Sequence, residues 1–578
     1  MNELKRLFKY MKGYGRECVL GPLFKLLEAS FELMIPLVVA RIVDVGIENS
    51  DTVYIVKMCL VMVALGVVGL ISSVTAQFFA AKAAVGFAAR LRSALMQKLL
   101  GLSYTQIDSL GASTMVTRMT SDVNQVQNGV NLTLRLLLRS PFVVFGAMIM
   151  AFSIDVQAAL VFAAVIPILC VVVFGIMLVT MPMYKKVQAK LDGVTSATRQ
   201  NLTGVRVLRA FCKEQDEVHD FREKTQALTH SQLSAGRISA VMNPLTFVII
   251  NLAVVVLVRV GAIKVYDGVL TQGLVIALYN YMSQILVELI KMANLIITIT
   301  KAVACGNRLG TILEMDTSVE KQGGEELAIR GAVEFKDVCV KYAGASGDSL
   351  EHISFRAEPG QTIGIIGGTG SGKSTLVNLI PRLYQVSSGQ VLIDGMDVND
   401  LNQELLRGQI GIVPQKAVLF RGSIRENLRW GREDATDDDL WKALETAQAR
   451  EVVKDKHGEL DAKVEQGGTN FSGGQRQRLT IARALVREPK ILIMDDSASA
   501  LDYATDARLR MAIRGMKNPP TTFIVSQRAA SVRYADLILV LDDGELVGCG
   551  THDTLLDTCA VYQEVYYSQF PKGVAEDG

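Results

Sequence analysis

The stretch Ile363–Val377, IGIIGGTGSGKSTLV, decides the fold of the second half of this 578-residue chain. A β-branched run enters it and a helix-permissive run leaves it. Between them Gly367, Gly372, Lys373 and Ser374 fit G-x-x-x-x-G-K-[ST]. Glycines let successive backbone N–H groups turn inward around phosphate oxygens. The loop residues Gly367, Gly368, Thr369, Gly370, Ser371 and Gly372, with Thr375 behind them, are candidate nucleotide contacts. Lys373 supplies a positive charge for the β- and γ-phosphates, and the Ser374 hydroxyl is a candidate Mg²⁺ ligand. The helix N-terminus adds its dipole.

Outward from this loop, short β-branched runs alternate with helical stretches: VEFKDVCVKY, QTIGIIG, VLIDG, QIGIVPQ, KILIMD, TTFIVS and LILVLDDGELV. That pattern predicts an α/β P-loop domain with a largely parallel core sheet over 333–570. In KILIMDDSASALD the run Ile491–Met494 predicts a buried strand ending in Asp495. A carboxylate there reaches Mg²⁺ through water.

Upstream the chain changes character. A spanning helix needs about 20 apolar residues. Residues 58–81, 156–184, 238–258 and 268–287 carry no charge. Two weaker spans complete a set of six. Leu26–Ala40 is interrupted by Glu28 and Glu32, and Ser140–Ile154 follows the arginine-bearing NLTLRLLLR. This predicts a polytopic helical membrane domain over 1–315, with DTSVEKQGGEELAIRGA, 316–332, as the linker. Lysine and arginine concentrate in the N-terminal segment and in 82–128 and 185–237. By the positive-inside rule those parts and both termini are cytoplasmic. The two long stretches read as cytoplasmic extensions of the membrane helices. Their tips, Ile107–Ser113 and Val207–Lys213, are coupling candidates. Leu4, Leu7, Phe8 and Met11 are expected to face lipid on an N-terminal amphipathic helix, with Lys5, Lys9 and Lys12 toward water.

Composition closes other routes. The 60 basic and 58 acidic residues nearly balance, which gives no electrostatic case for nucleic acid. The eight cysteines are scattered without metal-ligand spacing, and read as reduced packing residues. Charges inside spans mark pairing or a water-filled cavity; Glu28, Glu32, Arg135, Arg139, Glu288 and Lys291 are the candidates. Tyr279, Tyr281 and Gln284 give the sixth span a surface that suits either amphipathic cargo or helix packing.

Further motifs carry a family resemblance. Phe471–Gln475, FSGGQ, is similar to the LSGGQ signature of ATP-binding-cassette (ABC) exporters with six spans fused to one cassette. GASTMVTRMTSDV and LTGVRVLRAF resemble that family's cytoplasmic loop patterns. The resemblance implies ATP and Mg²⁺ as ligands. It assigns Tyr342 to adenine stacking, Gln415 to the Q-loop beside the metal, and Ser499–Asp502 to the D-loop. It also implies that two cassettes pair head to tail. Ser472, Gly473, Gly474 and Gln475 of one then complete the ATP site of the other. The partner is therefore a second half-transporter.

Besides Phe471 in place of the signature's leucine, two positions depart from the family at the catalytic centre. Asp496 stands where glutamate polarises the attacking water, and Gln527 stands where a switch histidine is usual. A carboxylate one methylene short misplaces its oxygens by about 1 Å, which can cost roughly 10²-fold in rate. Glutamine bonds a phosphate but lacks imidazole's switchable charge. The expected function is the degenerate-site subunit of a heterodimeric exporter of amphipathic small molecules such as drugs or lipids. It would sit in a bacterial inner membrane. A homodimeric exporter, an exporter-shaped siderophore importer, and a nucleotide-gated channel or regulatory subunit fit the same motifs.

Overall fold

The computed structural model describes residues 7–315, 329–342, 345, 347–497 and 499–570. The chain divides into two compact units. Residues up to 100 and 113–315 form one; 101–112 and the chain beyond 315 form the other.

The first unit is helical. Its helices are α1 (Gly15–Arg41), α2 (Thr52–Leu100), α4 (Ala112–Thr117), α5 (Val123–Leu136), α6 (Arg139–Ile154), α7 (Val156–Thr203), α8 (Val205–Ala210), α9 (Glu214–Tyr266) and α10 (Gln272–Glu314). The helix between α2 and α4, α3 (Tyr104–Leu110), belongs to the second unit. Helix α2 has 49 residues, on the order of 70 Å at 1.5 Å per residue. It outlasts its uncharged stretch, as the extension reading expects.

Five helical stretches, 52–100, 112–154, 156–203, 214–266 and 272–314, are long and apolar enough to cross a membrane. Helix α1 is long enough but carries charge, and that charge is paired. Lys25 reaches Glu28 at 2.5 Å, and Glu32 reaches Arg139 at 2.6 Å. Pairing of this kind makes charged residues tolerable in a sixth span.

Helix α2 shows how one sequence serves lipid and protein together. Leu60, Val63, Val67, Leu70 and Val74 recur at helical spacing and are exposed. Ala76, Ala80, Ala83 and Ala84 are buried where small side chains let helices approach. Against them lies Gly21 of α1, where an added Cβ would stand 3.5 Å from the Ala80 nitrogen. The turn between α6 and α7 is Asp155 alone, whose carboxylate accepts the Ala158 N–H at 2.8 Å and caps α7.

The N-terminal expectation changes. Leu4 and Lys5 lie outside the described residues. From residue 7 the chain makes only a 3₁₀ turn, Phe8–Met11, and Leu7 is buried against protein rather than facing lipid. Gly13, at φ +96°, breaks the chain before α1 begins.

The second unit holds two main sheets. The larger has the order β12-β11-β3-β10-β9-β6. Its strands are β3 (Thr362–Gly367), β6 (Ile410–Val413), β9 (Ile491–Asp495), β10 (Thr521–Val525), β11 (Leu537–Asp542) and β12 (Glu545–Gly550). All run parallel except β12. The second sheet is antiparallel, with β2 (Leu350–Ala357), β1 (Val333–Val340), β4 (Ser388–Ile393) and β5 (Met396–Asp397) in that order. Phe335 and Phe355 stack across it at 4.6 Å between centroids. Part of the expected linker packs with this sheet. Ile329 is buried, and the Asp394 carboxylate accepts the N–H groups of Arg330, Gly331 and Ala332. Residues 316–328 lie outside the described residues.

Candidate nucleotide site

Open parallel sheets place ligand-binding loops beyond their strands' C-terminal ends. Here β3 leads into the glycine loop, β6 into Gln415, β9 into Asp496 and β10 into Gln527. The four ends converge on a cavity of about 330 Å³. Its lining includes Tyr342, Thr369, Gly370, Lys373, Ser374, Thr375, Gln415, Asp495, Asp496 and Gln527. Ser349, Val525 and Ser526, which no sequence motif marked, also line it.

The loop's bends take left-handed backbone angles that favour glycine. Gly370 and Gly372 sit at φ +90° and +91°. A Cβ on Gly367 would lie 2.0 Å from the Leu541 carbonyl oxygen. Gly367→Ala should therefore abolish ATP photolabelling of the cassette and lower its melting temperature. Binding at wild-type strength would show that the cradle tolerates the methyl.

Lys373 lies across the loop, donating to the Gly367 carbonyl at 3.0 Å and to Ser371 Oγ at 3.3 Å. Burial pulls its pKa down, and the carboxylates of Asp496 and Asp495 oppose that shift. Burial likewise pushes Asp495 up. The Ser374 hydrogen bond opposes this, Asp496 adds to it, and Lys373 lowers it again. Both shifts record charges drawn out of water. Ser374 Oγ donates to Asp495 Oδ1 at 2.9 Å, with Gln415 in the same lining. A hydroxyl and one carboxylate fit Mg²⁺, which takes few protein oxygens and fills its octahedron from phosphate and water. The Tyr342 hydroxyl lies 3.0 Å from Thr375 Oγ1, so its ring stands at the loop's mouth.

Asp496 takes φ +46°, a left-handed conformation that aspartate tolerates better than most residues. Its N–H donates to the Val525 carbonyl at 3.0 Å, tying the ends of β9 and β10 together. Both unusual residues, Asp496 and Gln527, thus face the phosphate loop.

Other expected residues lie elsewhere. Ser472, Gly473, Gly474 and Gln475 are absent from the cavity lining. They open a helix, Gly473–Val486, through a reciprocal cap in which Ser472 Oγ accepts the Gln475 N–H and Gln475 Oε1 accepts the Ser472 N–H. Phe471 is buried beneath them. Asp502 is also outside the lining and caps the next helix, accepting the Thr505 N–H at 2.7 Å.

A phosphate loop, a strand-end carboxylate and an FSGGQ-capped helix occur here in one α/β unit behind a helical membrane unit. Residues 18–289 match the family described as ABC transporter transmembrane region, and residues 350–499 match the family described as ABC transporter. The chain belongs to the ABC transporters. This ABC chain is 35% identical over 573 residues to an uncharacterized ABC transporter ATP-binding protein of Bacillus subtilis, YfiB, covering 99% of this chain and 100% of the relative. It is 30% identical over 570 residues to an ATP-dependent lipid A-core flippase of Pseudomonas aeruginosa, covering 95% and 93%. The solved structure of a bacterial Atm1-family ABC exporter with ATP bound shares its fold, at TM-score 0.79 and 23% identity over 97% of this chain and 99% of that one. The protein is therefore an integral, multi-pass ABC transporter chain with an exporter-type fold and an ATP-binding domain, of the kind that couples ATP hydrolysis to transport.

Proposed function

We propose that this chain is the degenerate-site subunit of a heterodimeric exporter of amphipathic small molecules, drugs or lipids. One observation carries the reading: Asp496 and Gln527 line the same cavity as Lys373, Ser374 and Asp495. The residues of the cavity assigned to binding keep the family pattern, and the two in it that depart are the two assigned to hydrolysis. The lipid substrate in the name of the Pseudomonas relative favours lipid-like cargo.

In this reading Tyr342 stacks on adenine and the Gly367–Gly372 amides hold the phosphates. Lys373 neutralises the β- and γ-oxygens. Ser374, Gln415 and Asp495 would hold Mg²⁺, which would supply Lewis-acid charge neutralisation to the phosphates. Asp496 accepts the proton of attacking water from too far away, and Gln527 donates a hydrogen bond where a switchable charge is usual. ATP is held and cleaved slowly. Ser472, Gly473, Gly474 and Gln475, outside this chain's own cavity, serve the partner's ATP, with Asp502 fixing the neighbouring loop. Closure of the two cassettes moves the membrane helices between states of different cargo affinity. The tip around Ile107–Ser113 transmits it. In support, Asp108 accepts a hydrogen bond from the Tyr384 hydroxyl at 2.7 Å. The membrane domain spans 1–315 and the cassette 333–570, joined by the linker 316–332. Both termini lie in the cytoplasm beneath a bacterial inner membrane.

The chain expressed alone should turn over ATP slowly, and a co-expressed partner with catalytic glutamate and switch histidine should restore fast turnover. In that pair, Gly474→Asp here should cut turnover at least about tenfold by blocking the helix N-terminus that meets the partner's phosphate. Vigorous turnover by the lone chain defeats the proposal.

A further inference from the structure

The end of β10 and the following turn carry Gln527 into the cavity, and something must fix that turn. Its backbone has two groups with no partner in strand or helix. Ala529 opens a short helix, Ala529–Val532, whose first N–H groups have no intrahelical acceptor. The Gln527 carbonyl lies one peptide upstream, beyond the last ladder position Val525.

Both groups meet one side chain. Gln569 Oε1 accepts the Ala529 N–H at 2.8 Å, and Gln569 Nε2 donates to the Gln527 carbonyl at 2.8 Å. The amide therefore brackets Arg528 and fixes the peptide planes on either side of it. Gln569 is itself well anchored. It ends the C-terminal helix Ala560–Gln569, whose Tyr562 and Tyr566 are buried. Tyr562 shares a hydrogen bond with His552 Nδ1 at 2.8 Å, and Phe570 packs on Tyr566 at 5.0 Å between centroids. Spacing by three and four residues puts Tyr562, Tyr566 and Gln569 on one helix face.

The bracketed residue reaches a second functional loop. Arg528 donates to the Ser499 and Leu501 carbonyls, each at 3.0 Å, and its guanidinium lies over the Tyr503 ring. These carbonyls belong to the segment between Asp496 and the Asp502 helix cap. Setting the Arg528 backbone thus sets two things: the direction of Gln527 into the cavity, and the grip of Arg528 on the Ser499–Leu501 loop.

We infer that Gln569 is a positioning residue of the nucleotide site, reaching from the C-terminal helix to hold the Gln527–Ala529 turn and, through Arg528, the loop leading to Asp502. The inference rests on reading the cavity as this chain's ATP site.

Two variants separate its bonds. Gln569→Ala removes both. Gln569→Glu keeps an acceptor for the Ala529 N–H and sets oxygen against oxygen at Gln527. The full-length protein, with its partner if it has one, is loaded in the dark with 8-azido-ATP and Mg²⁺, chased with ATP and photolysed at intervals, and the label remaining on this chain is read. Amide exchange is read in parallel over 526–532. In Gln569→Ala, exchange at Ala529 should rise about tenfold, as expected for a lost part-buried hydrogen bond, with the core strands unchanged. Label should leave this chain's band about tenfold faster, with initial labelling within about twofold of wild type. Gln569→Glu should keep Ala529 protected yet still release label faster, which a loss of general stability would not produce. Unchanged Ala529 exchange in Gln569→Ala overturns the inference, and so does unchanged label release. Equal release from both chains of the wild-type protein defeats the slow-site reading alone.

Discussion

The double variant Asp496→Glu with Gln527→His should raise ATP turnover by the isolated full-length chain roughly 10²-fold. The rest of the machinery is in place: Ser374 is bonded to Asp495, Lys373 crosses the glycine loop, and Gln415 lines the cavity. Glutamate adds the methylene that brings a carboxylate to the attacking water. Histidine adds a group whose charge can change with pH. Each single variant should recover only part of the gain, because the two groups act on one reaction. The gain should come with a small loss of stability, since Asp496 sits at φ +46° and glutamate is less at ease there. Phosphate release, measured against the same double variant carrying Lys373→Ala, reads the result. A double variant no faster than wild type would locate the slow step away from these two side chains.

The second large effect lies in the membrane unit. Arg139 of α6 donates to Glu288 of α10 at 2.5 Å and to Glu32 of α1 at 2.6 Å. Glu288 also accepts from Ser140 at 2.9 Å and Lys291 at 2.8 Å. Arg139 and Glu288 are 6% and 3% exposed, so neither charge can turn to water if its partner leaves. Removing one member of a buried pair costs about 3–5 kcal/mol, whereas replacing both with well-packed apolar residues is often neutral. Arg139→Ala and Glu288→Ala should each lower the melting temperature in detergent by several degrees. Arg139→Met with Glu288→Leu should melt close to wild type, because the two charges left behind, Glu32 and Lys291, are each partly exposed rather than buried. If the double variant is as unstable as the singles combined, the cluster is not a mutually compensating unit. If it is stable but transport stops, the charges serve cargo or switching.

The sequence made this site legible where chemistry demands fixed spacing. From the loop motif Thr369, Gly370, Gly372, Lys373 and Ser374 line one cavity with the strand end at Asp495, while Gly367, Gly368 and Ser371 lie outside its lining. Strands buried on both faces, such as Ile491–Asp495, stood out as continuous apolar runs. Strand β2, LEHISFRA, did not. It alternates buried and exposed positions, carries three charged or imidazole side chains, Glu351, His352 and Arg356, and pairs with β1 through register shifts near Val338. The antiparallel sheet was hidden with it. Tyr281, which suited either cargo or packing, is fully buried and donates to the Leu33 carbonyl at 2.6 Å, so it packs helices. Gln569 left no signal, because it recognises backbone, and backbone acceptors leave no trace in residue identity.

The Asp394 contact with residues 330–332 bears on how the cassette can be isolated. Its carboxylate gathers three consecutive N–H groups from the strand's approach, and Gly331 there takes φ +112°. A soluble fragment that starts at Val333 leaves that carboxylate without its donors at the edge of the antiparallel sheet. A fragment that starts a few residues before Ile329 keeps them. The two should differ in solubility and yield more than their lengths suggest, and the longer one is the sound starting point for nucleotide titrations on the cassette alone.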